Sequence, residues 1–527
     1  MEPLNPGPLN PEPLNPGPLN PEPTGSEAPN PAGRLDGRTA TADLVVEGGR
    51  LVTPDGVRDG SVVIRNGHID AVLGPDEELP EGPRVDARGR YVLPGLIDSH
   101  VHFRTPGLEY KEDWEHAGRA AILGGVTTVV DMPNTRPPSL NEADLHAKAA
   151  LIEGRSWVDY RFHIGADPEH PEVLATLDPE VATSAKVFMA GHHTAPVVFR
   201  DWRALEAAFE AAARGNVQLV LHAEDQHIFD LLDTWRGDPD SYDEYEPHRP
   251  RSGAIVACAK VIQLVRTYGT RAHVLHASTA EEADMLVAAA QEGLPLTFEV
   301  TGHHLSFTDA DTCRRGPRTR LSPAIRGLSD QDRLWHAALA GEAASLGSDH
   351  APHTIEEKNK VPADAPPGLP GVQELAIASW TGMMTRRVAP DEAATHLARL
   401  MGSGPADLFR LPGKGRLVPG ADADLALLDP TERWQPTRED IQAKCGWSAY
   451  EGWLFRGRFT TVIKGGEQVW DLRSGFAGAP AGRWLAPSPA VLPAAVPAAE
   501  RAASPAVSPA ASPAVSPAAP QDGEAAR

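Results

Sequence analysis

The stretch Gly95-Leu96-Ile97-Asp98-Ser99-His100-Val101-His102-Phe103-Arg104 carries an apolar run into a cluster of ionisable side chains. On extended backbone, residues two apart project to the same side, so His100 and His102 share a face and could share one metal. A purely structural role for such a pair is equally open at this point. The run is the first of eight. The others end near Asp131, Gly165, Met189, His222, His276, Val300 and Asp349, and segments of helical period such as 202–214, 254–268 and 279–292 lie between them. Short apolar runs alternating with helices read as repeated βα units, and eight of them fit a closed (β/α)8 TIM barrel over 91–412.

Working outward, 43–46, 61–64 and 68–73 read as short strands, with Asn66-Gly67 supplying a tight hairpin turn. Similar signals return in 424–429 and 460–469, with a second hairpin at Gly465-Gly466. Two half-sets of strands flanking a long middle predict one small β-sandwich built from 42–90 and 413–475. Beyond them, 1–41 repeats Pro-Leu-Asn-Pro and 476–527 is rich in Ala, Pro and Ser. Proline at that density blocks helices, and few large apolar residues offset ordering entropy, so both tails are expected to be disordered.

Composition narrows the function classes. The 527 residues carry a formal net charge of -23, which disfavours phosphate backbones and anionic membranes, so neither nucleic acid nor membrane is an expected partner. Three scattered cysteines, Cys258, Cys313 and Cys445, make no metal-type spacing and no disulfide framework. With no leader-like start and no run of membrane-spanning length, the expectation is a cytoplasmic protein.

The chemistry gathers where the runs finish, which is where barrel enzymes keep their active sites. Besides the first pair, 217–222 and 272–276 each deliver a histidine, His222 and His276, where a plain barrel core would carry Val, Ile or Leu. Either alone could be a satisfied core histidine. Asp349 ends the eighth run in Ser348-Asp349-His350-Ala351-Pro352-His353, with a helix N-cap as its ordinary alternative. Lys186, in Ser184-Ala185-Lys186-Val187-Phe188-Met189, puts an amine inside an apolar run. It could form a buried ion pair or reach the rim, or its neutral amine could take up carbon dioxide to give a bridging carbamate. Four histidines, one aspartate and one such bridge make a ligand set for two divalent metals, most readily Zn2+, although cobalt and manganese accept similar donors. A paired-metal site lowers the pKa of water and polarises a carbonyl, and Asp349 could then carry the proton from water to the leaving nitrogen.

At these residues the chain resembles the cyclic amidohydrolases, and within them the dihydroorotases. The likeness spans about Asp43 to Asp471 and is concentrated in four blocks: Asp98 to Gly107, Asp131-Met132-Pro133-Asn134-Thr135, Glu299-Val300-Thr301-Gly302-His303-His304-Leu305, and Ser348 to His353. It implies metal binding by His100, His102, carbamylated Lys186, His222, His276 and Asp349, with Asp349 also the acid and base. It further implies that Arg104, Asn134 and His353 hold the carboxylate and ring of a small anionic cyclic amide, and that the Pro367-Gly368 backbone contacts the ring amide. A guanidinium suits that task because it grips a carboxylate with two hydrogen bonds. Two departures stand out. Ser322, in Ser322-Pro323-Ala324-Ile325-Arg326, replaces the family's usual asparagine at a substrate-facing position, and Gly302 replaces a frequent proline. Lys186 aligns the chain with the carbamate-bearing group that includes hydantoinases and allantoinases. The competing expectations are therefore a hydrolase of hydantoins, allantoin or dihydropyrimidines, and a metal-free scaffold on the same fold. A homo-oligomer is compatible with either.

Overall fold

The computed structural model describes residues 41–191, 194–195 and 197–485, and among them the barrel is closed by eight parallel strand positions. The first three are Leu96–Val101, Val126–Asp131 and Asp159–Phe162, which pair in that order. Ile164–Gly165, Ser184–Phe188, Gln218–His222, Ala272–Val274, Leu296–Thr301 and Ser345–Gly347 continue the parallel series. The third position is broken at His163, whose N–H still donates to Asp131 O at 3.0 Å. Closure comes from the ends: Val101 bridges His350 in parallel, and His102 N–H donates to His350 O at 2.8 Å. That single closure sets the Asp349 segment beside the two histidines of the first strand.

The crossover helices form where helical period was expected. Trp202–Gly215 ends at Asn216 in the left-handed region (φ 51), and Arg251–Tyr268 ends at Gly269 (φ 68). Ala280–Gln291 opens on a capping box, Thr279 accepting from the Glu282 N–H while the Glu282 carboxylate accepts from the Thr279 N–H. Asp349 caps no helix: the short helix Ile355–Lys358 begins on Thr354 instead.

The two half-sets of strands join into one nine-stranded sheet. Tyr91–Pro94, from the amino-terminal half, pairs antiparallel with Leu425–Trp434 from the carboxy-terminal half. The sheet folds back where Ile69 N–H donates to Ala421 O and Ala423 N–H to Gly67 O, enclosing Val46, Leu51, Val62, Ile64, Leu425, Leu427 and Ile463. Both expected hairpins are present, with Asn66, Gly67, Gly465 and Gly466 all at positive φ, as a tight turn between right-twisted strands requires.

One boundary differs from expectation. Composition predicts a disordered tail from 476, yet Gly475–Phe476 is a strand and the segment to Leu485 docks on the barrel. Tyr160 N–H donates to Arg483 O and Leu485 N–H to Tyr160 O, at 3.0 and 2.9 Å, and Leu485 is buried among Ile97, Val130 and Phe409. The reason is local. Phe476, Trp484 and Leu485 supply apolar surface that the Ala/Pro/Ser repeat beyond them lacks. The tail expectations for 1–40 and 486–527 lie outside the described residues. No helix among the described residues is long and apolar enough to cross a membrane.

Candidate metal centre

The ends of the first, fourth, fifth, sixth and eighth strands line one cavity, where His100, His102, Lys186, His222, His276 and Asp349 meet Ser322, Pro367 and Gly368. The first strand presents both its histidines to the same side, and their Nε2 atoms lie 3.2 and 3.1 Å from Asp349 Oδ1. Across the mouth, His222 Nδ1 is 3.0 Å from His276 Nε2. The His100 and His276 rings, 5.4 Å apart between centroids, connect the two halves. Lys186 is 1% exposed, and its Nζ stands 4.8 Å from the centre of the Phe188 ring two residues along the same strand. Burial draws this amine down to about 7, so the neutral nucleophile that a carbamate requires is present near neutral pH.

The partners on the outer side of each ring decide which nitrogen faces the cavity. His100 Nδ1 meets Glu299 Oε1 at 2.8 Å, His102 Nδ1 meets Asn134 Oδ1 at 2.7 Å, and His222 Nε2 meets Glu224 Oε2 at 2.9 Å. All three partners accept, so the rings carry their protons outward and turn lone pairs inward. Burial holds the four imidazoles below their ordinary range, with His100 at about 3. The cavity therefore gathers imidazole lone pairs against a carboxylate, acceptor facing acceptor, an arrangement that a divalent cation relieves. His100, His102 and Asp349 converge closely enough to hold such an ion. Glu299 points the same way: burial raises it to about 8, and a nearby cation would re-ionise it.

Strain marks the same places. His276 (φ 39) and Asp349 (φ 44) are non-glycine residues in the left-handed region, and Arg104 (φ 66) is a third. Gly347, just before the Asp349 turn, leaves room for Glu299, because a Cβ there would stand 2.3 Å from Glu299 Oε2. A Cβ on Gly368 (φ 129) would lie 2.4 Å from Ala351 O, so that wall of the cavity is bare backbone.

The substrate-side residues divide into two sets. Ser322, Pro367 and Gly368 line the cavity. Arg104, Asn134 and His353 lie one layer behind it. Asn134 spends its carbonyl on His102 and reaches Thr194 Oγ1 with its amide at 3.3 Å. Arg104 donates to Pro352 O at 3.2 Å, lies 3.5 Å from His353 Nε2, and leaves Nε and Nη1 buried with no hydrogen-bond partner. His353 Nδ1 is in turn held by Lys111 Nζ at 2.9 Å.

Three residues that sequence reasoning did not single out complete the site: Glu299, Glu224 and Arg249, whose guanidinium pairs with Glu224. Glu299 had a legible signal, since an acid inside Leu296-Thr297-Phe298-Glu299-Val300 is as anomalous as Lys186 in its run. A separate group, Asp159, Asp422 and Asp424, also converges, but on Lys414 Nζ at 2.6, 2.8 and 2.7 Å, so an amine already neutralises it.

A closed parallel barrel with paired histidines, a buried lysine and an aspartate at its carboxy-terminal mouth has the form of a barrel hydrolase with a candidate metal site. The comparisons with known proteins agree: the chain belongs to the amidohydrolase family, which it matches over residues 91–469, and it groups with the hydrolases of cyclic amides. It is 32% identical over 451 residues to an allantoinase of Streptomyces avermitilis, covering 85% of this chain and 99% of that one. It is 34% identical over 392 residues to a dihydroorotase of Halobacterium salinarum, covering 73% and 88%. Among solved structures, an L-hydantoinase (dihydropyrimidinase) from Arthrobacter aurescens superposes with a TM-score of 0.80 at 25% identity, covering 85% of this chain and all of that one.

Proposed function

We propose that the protein is a dihydroorotase, a metal-dependent enzyme that reversibly opens the cyclic amide of dihydroorotate to N-carbamoyl-aspartate in pyrimidine synthesis. The observation that carries the ring's identity is Arg104. It is 2% exposed, makes no ion pair among the described residues and keeps two donors unsatisfied. Burial lowers it only to about 10, so it stays charged at neutral pH. A buried, unpaired guanidinium beside the reacting centre is costly unless an anion arrives to share it. To do so, Arg104 must turn from Pro352 O toward the cavity.

His100, His102, His222, His276, Asp349 and Lys186 as its carbamate would hold two zinc ions, which supply Lewis acidity toward the ring carbonyl and acidify water. The chain's own residues do the rest. Ser322 and the Pro367-Gly368 backbone face the ring and fix which carbonyl carbon is presented. Asp349, steered by its turn at positive φ, takes a proton from the attacking water. As the carbon–oxygen bond forms, the ring carbon–nitrogen bond breaks and Asp349 returns that proton to the leaving nitrogen. Asn134 and Glu299 keep the rings of His102 and His100 in the required tautomer.

The same machinery would open an uncharged ring, and the likeness to allantoinases and hydantoinases favours that second reading. The assay that separates them offers zinc- and bicarbonate-treated protein dihydroorotate, allantoin, hydantoin and dihydrouracil in parallel. Turnover of dihydroorotate is expected, with Arg104→Gln raising its KM by about a hundredfold and Lys186→Ala abolishing it. Turnover confined to uncharged rings would overturn the assignment and leave the amidohydrolase chemistry standing.

A further inference from the structure

The excursion after the fifth barrel strand, residues 242–250, touches neither the cavity nor a metal-facing nitrogen, yet it is wired to both halves of the site. At one end Tyr245 is buried, and its hydroxyl lies 2.9 Å from Ser322 Oγ, the side chain that lines the cavity. The Arg320 guanidinium covers the Tyr245 ring at 4.6 Å, so the ring is fixed from its other face. At the other end Arg249 donates to Glu224 Oε2, the same oxygen that holds His222 Nε2. Its guanidinium also lies over the Phe229 ring at 4.5 Å.

The two ends are rigidly joined. The Arg249 N–H closes the turn on Tyr245 O at 3.0 Å, and Arg326 Nη1 reaches both Glu246 Oε1 and Arg249 O, at 2.8 and 2.6 Å. Arg326 belongs to the same Ser322-Pro323-Ala324-Ile325-Arg326 block as the cavity-lining serine. One short turn is therefore clamped to the substrate wall at two points and to a histidine of the metal centre through a buried carboxylate.

We propose that the Tyr245–Arg249 turn positions the two halves of the site separately: Tyr245 sets the ring's fit through Ser322, and Arg249 sets metal retention through Glu224 and His222. Ser322 is too short to brace itself. A serine hydroxyl rotates freely, whereas one held by a tyrosine of fixed ring presents a defined lone pair to the substrate. Arg249 holds the Glu224 carboxylate against His222 Nε2, and an outward carboxylate makes its imidazole a better ligand. Both are positioning residues, since neither contacts the reacting atoms. The inference rests on the amidohydrolase reading but not on which ring is the substrate.

The test compares Tyr245→Phe, Arg249→Gln and Arg249→Lys in the full-length zinc-loaded protein. Tyr242→Phe serves as control, because Tyr242 lies in the same excursion and, among the described residues, its hydroxyl reaches the Lys358 and Lys360 carbonyls rather than Ser322 or Glu224. Two quantities are read: KM and kcat on the best cyclic amide, and the chelator concentration that strips half the zinc, measured by metal content. Tyr245→Phe is expected to raise KM about fivefold with kcat and zinc retention within about twofold. Arg249→Gln is expected to lower the stripping concentration about tenfold or more, leaving KM of zinc-saturated protein unchanged, and Arg249→Lys to recover most of the loss. Equal movement of both quantities in both variants, the same shifts in Tyr242→Phe, or no shift in either would overturn the proposal. If no ring is turned over, the functional reading fails by itself; the zinc measurement still decides Arg249, and calorimetric binding of the same rings decides Tyr245.

Discussion

His163 and His273 are as buried as the four histidines of the cavity, stand on the same barrel strands or beside them, and do a different job. His163 places Nδ1 2.7 Å from Ser184 Oγ and Nε2 3.0 Å from Ser99 O. His273 lies between Thr297 Oγ1 and Ser345 Oγ, at 2.8 and 3.2 Å. Both pack edge-on to Phe409, at 5.3 and 6.0 Å. Every ring nitrogen there has a hydroxyl or carbonyl partner, so these histidines are finished. In the cavity the outer nitrogens of His100, His102 and His222 meet Glu299, Asn134 and Glu224, while His100 and His102 turn Nε2 toward Asp349 Oδ1. Burial and position on a strand do not distinguish a ligand from a core histidine. For His100 and His102 the distinguishing feature is an acceptor behind the ring and the Asp349 carboxylate in front of it.

The comparison can be attacked from its strongest consequence downward. Asp349→Asn removes the acceptor in front and the proton carrier together, so activity should fall by at least about a thousandfold with far-ultraviolet circular dichroism unchanged; a loss under tenfold would take Asp349 out of proton transfer. Glu299→Gln weakens the acceptor behind His100 and should reduce zinc retention by about 10- to 100-fold in a chelator titration. His273→Asn, made in an equally buried ring, should leave zinc retention within about twofold, and equal losses in the two variants would erase the distinction. The His273 variant should pay in folding instead, losing about 1–3 kcal/mol in urea denaturation because Thr297 and Ser345 lose a partner.

The smallest expected effect is in pH. Burial draws His163 and His273 down to about 3, so between pH 6.5 and 3 the unfolded chain binds protons there that the folded chain does not. Stability is then lost as pH falls through that window and rises again with pH, the sign required when the unfolded state holds more protons. His273→Asn should flatten the fall measured by denaturant midpoint from pH 6.5 downward. An unchanged slope would show that other groups dominate acid sensitivity.

The architecture and most of the residues that line the cavity were legible because their signals are local. Period-2 and period-3.6 patterning, the turns at Asn66-Gly67 and Gly465-Gly466, and ionisable residues at run ends are each written within a few positions of the chain. The boundary at 476 was less so. Composition averaged over the tail hides three large apolar residues, Phe476, Trp484 and Leu485, that make its first segment dock. Lys186 stood out because burying an amine is costly anywhere, and Glu299 carries the same kind of signal within its run.

The sequence alone carries the barrel's alternating period, a lysine inside one apolar run, four histidines and an aspartate where other runs finish, and the amidohydrolase blocks. Only the tertiary structure decided that His276 joins the centre while His273, three residues earlier, does not, and that Arg104 sits behind the cavity with two free donors. It alone brought Glu224, Arg249, Tyr245 and Ser322 into one wiring. The physical reason is that a hydrogen bond depends on a few ångströms between residues far apart in the chain, 199 positions for His100 and Glu299, and no local pattern encodes such a distance.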